Sequence, residues 1–403
     1  MEALPTKDLT QSVHDHISTL GTGLVASIQG LLASFSSPIN NAGQLTQLTG
    51  LNRNSASKIM MALGKREALA SLIAMPGPEA LRKLLAAATQ AQLPEARIAP
   101  FQLALSRYEH LVEHEFDGKP ALDGTIALWL PEVRERVETA NRHLIYRGMS
   151  ALRGISLDTA FELMIIRPSD TVPERCDAMY CIGMLGLRRV IPGAPLRLLA
   201  VHHRTEAARY ETLDGRPSLR RPLDGILPEY CTNPLPSMSE TVVDEKIMVG
   251  VSEDNFGVEG SLDLVFAEVG VAQAPRNPEP GRRLGLGHTV VKPTRELVLD
   301  TFLHEEIWKG ATPQHAMYDS AGYGTVDPRN RARDPEIIPQ AHRHVELGQG
   351  FEGVATPSIP NYRGFLTDIC SRRGWNPATF RGYRLAVSYP TYAAQYASVF
   401  TAV

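Results

Sequence analysis

Between Asn52 and Lys58 the chain reads Asn-Arg-Asn-Ser-Ala-Ser-Lys, a run of side chains suited to gripping nucleic acid. Arginine pairs with guanine and asparagine with adenine, while serine and lysine take phosphate oxygens. From Asn40 to Leu63 there is no acidic residue, and residues 36–90 hold six Lys and Arg against two Asp and Glu. That local excess of positive charge attracts a phosphate backbone. A helix exposed only for solubility would usually carry glutamate as well. The candidate DNA-contacting residues are Asn52, Arg53, Asn54, Ser55, Ser57 and Lys58, with Lys65 and Arg66 just beyond.

Other residues offer weaker chemistry. His202 and His203 sit at the end of an expected strand, and His304 precedes Glu305 and Glu306. On a strand, His342 and His344 would share a face and could grip one metal. No HExxH or comparably dense motif occurs, so they read as surface or satisfied core histidines, and no metal or cofactor is expected. The run Gly281–Gly287 is glycine-rich but leads into a strand, so it reads as a turn rather than a phosphate cradle. No nucleophile elbow and no Walker pattern occurs, and no catalytic residue is assigned. Cys176 and Cys181 read as small buried hydrophobes. Along Arg295–Trp308, strand alternation puts Leu297, Leu299, Thr301 and Leu303 on one face and Asp300, Phe302 and His304 on the other. Asp300, His304 and Glu306 could line a pocket, but a half-buried strand with a wet face explains them as well. Tyr383, Tyr389, Tyr392 and Tyr396 could line a ligand site and otherwise belong to core or interface.

The elements that must position Asn52–Lys58 are two short helices. Asn40 or Asn41 can cap the first, which holds Leu45 and Leu48 on its inner face. Gly50 supplies the positive φ of a tight turn, and Leu51 plugs the corner. Asn52 or Asn54 can cap the second. Its buried stripe is Ala56, Ile59, Met60 and Leu63. Arg53, Asn54, Ser55, Ser57, Lys58 and Met61 then face outward.

With Leu45, Leu48, Gly50, Leu51, Ala56, Ile59 and Leu63 at its buried and turn positions, this segment resembles the helix-turn-helix of bacterial winged-helix regulators of the broad MarR and IclR style. The resemblance covers about 30 of the 403 residues. It implies double-stranded DNA as partner, with Arg53–Lys58 near the start of a recognition helix in the major groove. A wing would require a β-hairpin after Leu63. The sequence there supports at best one short strand, Leu69–Ala74.

Helical spacing also marks Leu24–Phe35, Glu79–Gln92, Phe101–Phe116 and Pro131–Gly148. In the last, Val133, Val137, Ala140 and Leu144 share a face, which makes it a candidate dimer helix. After Gly154 the texture changes to β-branched and aliphatic runs punctuated by Pro and Gly: Thr159–Arg167, Ala178–Ile191, Leu196–His202, Glu245–Ser252, Ser261–Val269, Thr289–Phe302 and Tyr383–Tyr389. A late helix is expected over Tyr362–Arg373, and long loops over Thr205–Ser239 and Gly322–Gly350. The fold class expected is α+β: an N-terminal all-helical helix-turn-helix region, then a β-rich mixed C-terminal domain. The segments are a DNA-binding domain over 1–95, a helical linker or dimerisation region over 96–153, and a sensor or oligomerisation domain over 154–403.

Hydrophobic residues make up 43% and charged residues 21% of the chain, ordinary for a globular protein, and the net charge is −3. The protein is no polycation, so nucleic-acid binding must come from a local patch. Four cysteines without CxxC spacing fit a reducing compartment. The first residues carry no apolar signal region, and no run of apolar residues is long enough to span a membrane. These features lead to the expectation of a cytoplasmic homodimeric transcription regulator whose C-terminal domain senses a ligand such as a small-molecule effector, binds a partner or fixes the dimer. The alternatives are an enzyme, such as a metal-dependent hydrolase, tethered to nucleic acid, or a protein-binding scaffold.

Overall fold

The computed structural model describes residues 6–202, 209–218, 221–243, 246–340 and 342–403. The fold is α+β, and the chain divides into two compact units, one ending at Glu138 and one beginning at Thr139.

The first unit is helical. Its helices are α1 (Thr6–Leu32), α2 (Ala42–Thr49), α3 (Arg53–Leu63), α4 (Ala68–Ala74), α5 (Pro78–Gln90), α6 (Glu95–His110) and α7 (Lys119–Ala127); α8 (Pro131–Arg153) begins in it and ends in the second unit. Apolar residues three and four apart give each helix one inward stripe. Leu24, Ile28 and Leu31 of α1, Leu81 and Leu84 of α5, and Phe101 and Leu105 of α6 meet in one core with Leu45, Leu51 and Ile59. Pro78 opens α5, where a missing N–H costs nothing. A π-helical turn, Leu111–Glu115, extends α6.

Three expectations are corrected along these helices. The helix expected over Leu24–Phe35 starts at Thr6 and stops at Leu32. The short strand expected over Leu69–Ala74 is the helix α4. Leu69 and Leu72, three apart, both turn inward, and no strand lies beside them to pair with. No β-hairpin wing therefore follows α3 among the described residues before Gly154. On α8 the expected apolar face is not the buried one: Leu144 is 65% exposed, while Arg142 and Tyr146 are buried.

The second unit is built on an eight-stranded sheet. Its strands include β1 (Ile155–Pro168), β2 (Arg175–Arg189), β3 (Arg197–His202), β4 (Tyr210–Glu211), β5 (Pro217–Ser218), β6 (Met238–Val243), β7 (Lys246–Val251) and β8 (Leu262–Pro275). After these come β9 (Arg283–Thr289), β10 (Thr294–His304), β11 (Pro313–Asp319), β12 (Val345–Gln349), β13 (Phe380–Ser388) and β14 (Ala394–Thr401). The large sheet runs β12-β13-β10-β1-β2-β8-β4-β5. Its central pair, β1 and β10, is parallel, and the neighbours on either side are antiparallel. Two smaller sheets, β11-β14-β9 and β3-β7-β6, complete the unit. Between β11 and β12 lies the single turn α9 (Ser320–Tyr323), and before β13 comes α10 (Tyr362–Arg372).

One face of the large sheet, carrying Phe161, Leu163, Val298 and Phe302, packs on Phe365, Leu366 and Ile369 of α10. The other face packs on both small sheets through Leu299, Met184, Val249 and Tyr396, and through Met164, Leu286 and Phe400. Central strands covered on both sides carry continuous apolar runs rather than clean alternation. Gly183 lies opposite Phe161, whose ring covers it so closely that an added Cβ would stand 1.8 Å away.

That two-sided burial corrects the wet face expected for Arg295–Trp308. Asp300 is fully buried. The glycine-rich run Gly281–Gly287 turns at Gly281 but is strand from Arg283. The loops expected over Thr205–Ser239 and Gly322–Gly350 contain β4, β5 and the start of β6, and β12, respectively. Their strands are too short or too polar to show a period-two pattern. His203, Thr205 and Glu245 lie outside the described residues.

Candidate functional site

The helical hairpin α2–α3 is built by local chemistry. Asn41 is the first cap: its Oδ1 accepts the Gln44 N–H at 3.0 Å. Gln44 Oε1 in turn accepts the N–H of Asn40, the residue before the cap, at 2.8 Å, so one further backbone donor at this helix start is satisfied. At Gly50 φ is 66°, and its N–H bonds Thr46 O at 2.9 Å. This left-handed residue ends α2. Leu51 is buried in the corner. Asn52 then caps α3, its Oδ1 accepting the Ser55 N–H at 2.8 Å. Of the candidate readers, Asn52 has thus committed its acceptor to the cap. Asn54 has not.

Ala56, Ile59 and Ala62 form the buried side of α3, with Met60 and Leu63 packed beside them. Arg53, Asn54, Ser57 and Lys58 are exposed, as are Lys65 and Arg66 after the helix, and Ser55 is half-buried. Met61 faces outward at 54% exposure. Leu48, expected on the inner face of α2, is 39% exposed, because eight residues of helix bury only Leu45 fully. Lys119 at the start of α7 pairs with Asp123 one turn on. Burial pushes the Lys119 ammonium down and the Asp123 carboxyl up, and the nearby charge of Lys58 lowers both. The α3 face therefore stands beside a second, already paired lysine.

In the second unit the chemistry gathers elsewhere than expected. His342 and His344 precede β12 instead of lying on a strand. They meet His315 of β11, with ring centroids 5.6 Å and 6.5 Å away. Tyr396 of β14 stacks on His315 at 5.9 Å and is itself fully buried in the core. His344 Nε2 lies 2.6 Å from Ser398 Oγ. Nδ1 of His342 is buried without a hydrogen-bond partner among the described residues, and the two buried ring nitrogens of His315 share at most one, the Ala397 backbone. Such orphaned groups cost about 1–3 kcal/mol each. Burial pushes His315 down to about 4, His342 to about 3 and His344 to about 4. Among the described residues no group of three or more His, Cys, Asp or Glu is arranged to hold a metal ion.

These lowered values carry a pH dependence. An unfolded histidine titrates near 6.5. As pH falls below that, the unfolded chain takes up protons that the folded rings refuse, so folding stability declines until pH reaches the folded values. The slope is about 1.4 kcal/mol per pH unit for each ring. Urea unfolding of the second unit should show a clear loss between about pH 6.5 and about pH 5, and His342→Gln should flatten it. A midpoint unchanged over that range would mean that the three rings titrate normally.

Asp300, His304 and Glu306 do not share a pocket. Asp300 is held by Arg384 of β13, while His304 Nδ1 accepts the Glu306 N–H at 3.2 Å and Glu306 pairs with Arg276 at 2.6 Å. Cys176 and Cys181 are buried, and burial pushes the Cys176 thiol up to about 11. Sequence reasoning did not single out His315, Arg384, or the pair of Glu162 and His288, which touch at 2.7 Å. In each case the partner is distant in sequence, and a single residue in a strand carries no motif.

No protein-family model matches the chain, and no curated protein matches it. Among solved structures, a protein of Parabacteroides distasonis provisionally assigned as a protease aligns over 62% of this chain and 40% of its own length. Its identity is 7% and its TM-score 0.26. At that level the likeness bears on neither fold nor activity. Among the described residues no helix is long and apolar enough to cross a membrane.

Proposed function

We propose that this protein is a sequence-specific, double-stranded-DNA-binding transcription regulator. α3 enters the major groove, and the second unit senses a small-molecule effector or fixes a homodimer. The observation that carries this is the α3 face itself: Arg53, Asn54, Ser57 and Lys58 stand exposed on a capped helix, and no carboxylate lies between Asn40 and Leu63. A homodimer would match the two-fold symmetry of a palindromic site. The exposed Leu144 and Leu152 of α8, at 65% and 82%, offer it an apolar face. An effector would act by favouring one spacing of the two recognition helices. The setting is cytoplasmic.

The test is selection of duplexes from a random pool by the full chain, followed by affinity measured across salt concentrations. We expect one enriched motif, and an affinity that falls with salt at a slope of about −0.9 for each phosphate contacted. Binding that is absent, or flat in salt, would instead point to a hairpin that meets protein.

A further inference from the structure

We propose that the cleft between β11 and the segment leading into β12 binds a small molecule carrying an anionic oxygen group, a carboxylate or a phosphate. The cleft has a volume of about 440 Å³, and His315, His342, His344, Gln314, Gln340 and Arg343 supply its polar lining. That volume suits a small ligand. Ile337 and Ile338 form an apolar wall. Two imidazole nitrogens in or beside it, Nδ1 of His342 and one of His315, have no partner among the described residues. A folded chain tolerates several such atoms in one place most readily where something else completes their bonding.

Electrostatics decides the sign of the ligand. Arg343 lines the cleft, and Arg142 of α8 stands behind it, donating from Nη1 to Gln340 Oε1 at 3.3 Å. The charges acting on the three rings are Arg142 on His342 and His315 on the other two; among the described residues no carboxylate acts on any of them, and none lines the cleft. A cation arriving here would meet only like charge or neutral rings. An anion would meet arginine, amide N–H groups and imidazoles. It would also reverse the cost of protonating them, so a ring takes one proton from solvent and becomes a donor at both nitrogens. Binding and proton uptake are therefore one event. The cleft's role as an effector site rests on the regulator proposal, but the binding does not and is measured without DNA.

The experiment is calorimetric titration of the full chain with inorganic phosphate and, separately, with succinate, in two buffers of unlike ionisation heat. A zinc chloride titration is the opposing arm. We expect saturable binding of one of the two anions with net proton uptake. Affinity should fall as pH rises, by up to about tenfold per pH unit for each proton taken up. His342→Gln should weaken binding about tenfold or more, a loss of about 1.4 kcal/mol. Arg343→Ala, an exposed position, should weaken it about threefold or more with an unchanged thermal unfolding midpoint. If His342→Gln fails to fold, Arg343→Ala and the proton uptake decide. The proposal is overturned if neither anion saturates, if binding proceeds without proton uptake and equally well in Arg343→Ala, or if zinc binds and His342→Gln abolishes it. Phosphate binding without succinate binding would place the ligand among phosphate esters, and the reverse among carboxylic acids.

Discussion

Arg384→Ala is expected to remove about 3–5 kcal/mol of stability from the second unit. Asp300 lies on β10 near the middle of the large sheet, with no exposed surface, and Arg384 stands directly across from it on β13. The pair is bidentate, Nε to Oδ1 at 2.8 Å and Nη2 to Oδ2 at 2.7 Å. Nη2 also donates to Val354 O at 2.8 Å. Burial pushes the Asp300 carboxyl up, and Arg384 pulls it back down. Without the guanidinium a carboxylate is left in the core with no opposite charge and only the Tyr362 hydroxyl to bond it, and Val354 O loses a donor. The cost comes from breaking the pair, so removing both charges should cost less. Asp300→Leu combined with Arg384→Met should restore much of the loss, since apolar replacements of buried pairs are often neutral. Urea unfolding of the three proteins reads this directly. A single-variant loss below about 1 kcal/mol would mean that water already reaches the carboxylate.

Arg53→Ala with Lys58→Ala should abolish most affinity for duplex DNA and lower the salt slope by about 0.9, the phosphate contact of Lys58. The single changes should differ in kind. Lys58→Ala removes a point charge from a backbone contact and should weaken all sequences about equally. Asn54→Ala should cost about 1–3 kcal/mol on the selected motif and little on random DNA, because its amide is the one not spent on a cap. Arg53→Ala should also relax specificity. Equal losses on selected and random duplexes for Asn54→Ala and Arg53→Ala would remove both from the role of base readers. Asn52→Ala is a useful contrast. It should lower stability by about 1 kcal/mol through the lost cap, whatever its effect on DNA.

How much was legible follows from the distance over which each feature is determined. The hairpin was readable because its determinants are neighbours: Asn41 with Gln44, Gly50 with Thr46, Asn52 with Ser55. The α+β division was readable because helical and extended texture changes at Gly154. Leu48 and Leu144 were misplaced because periodicity ranks the faces of a helix without saying how much of each is covered. Leu69–Ala74 shows the ambiguity of a short apolar run, which fits strand and helix alike until a partner strand is sought and not found. Asp300 was read as solvated because alternation assumes one wet face, and here α10 and the small sheets cover both. Arg384 stands 84 residues from Asp300, and no local pattern announces such a partner.

The parallel pairing of β1 with β10 also sets a schedule for synthesis. Strand β1 finds this neighbour only once residues 294–304 exist, and β10 in turn waits for β13. The helical unit, which ends at Glu138, is fully synthesised long before the sheet. The sheet must wait with its central strands unclosed until Ser388 has emerged. During that interval β1 presents an apolar edge to every other nascent chain nearby, so the second unit is where chaperone dependence and aggregation should concentrate.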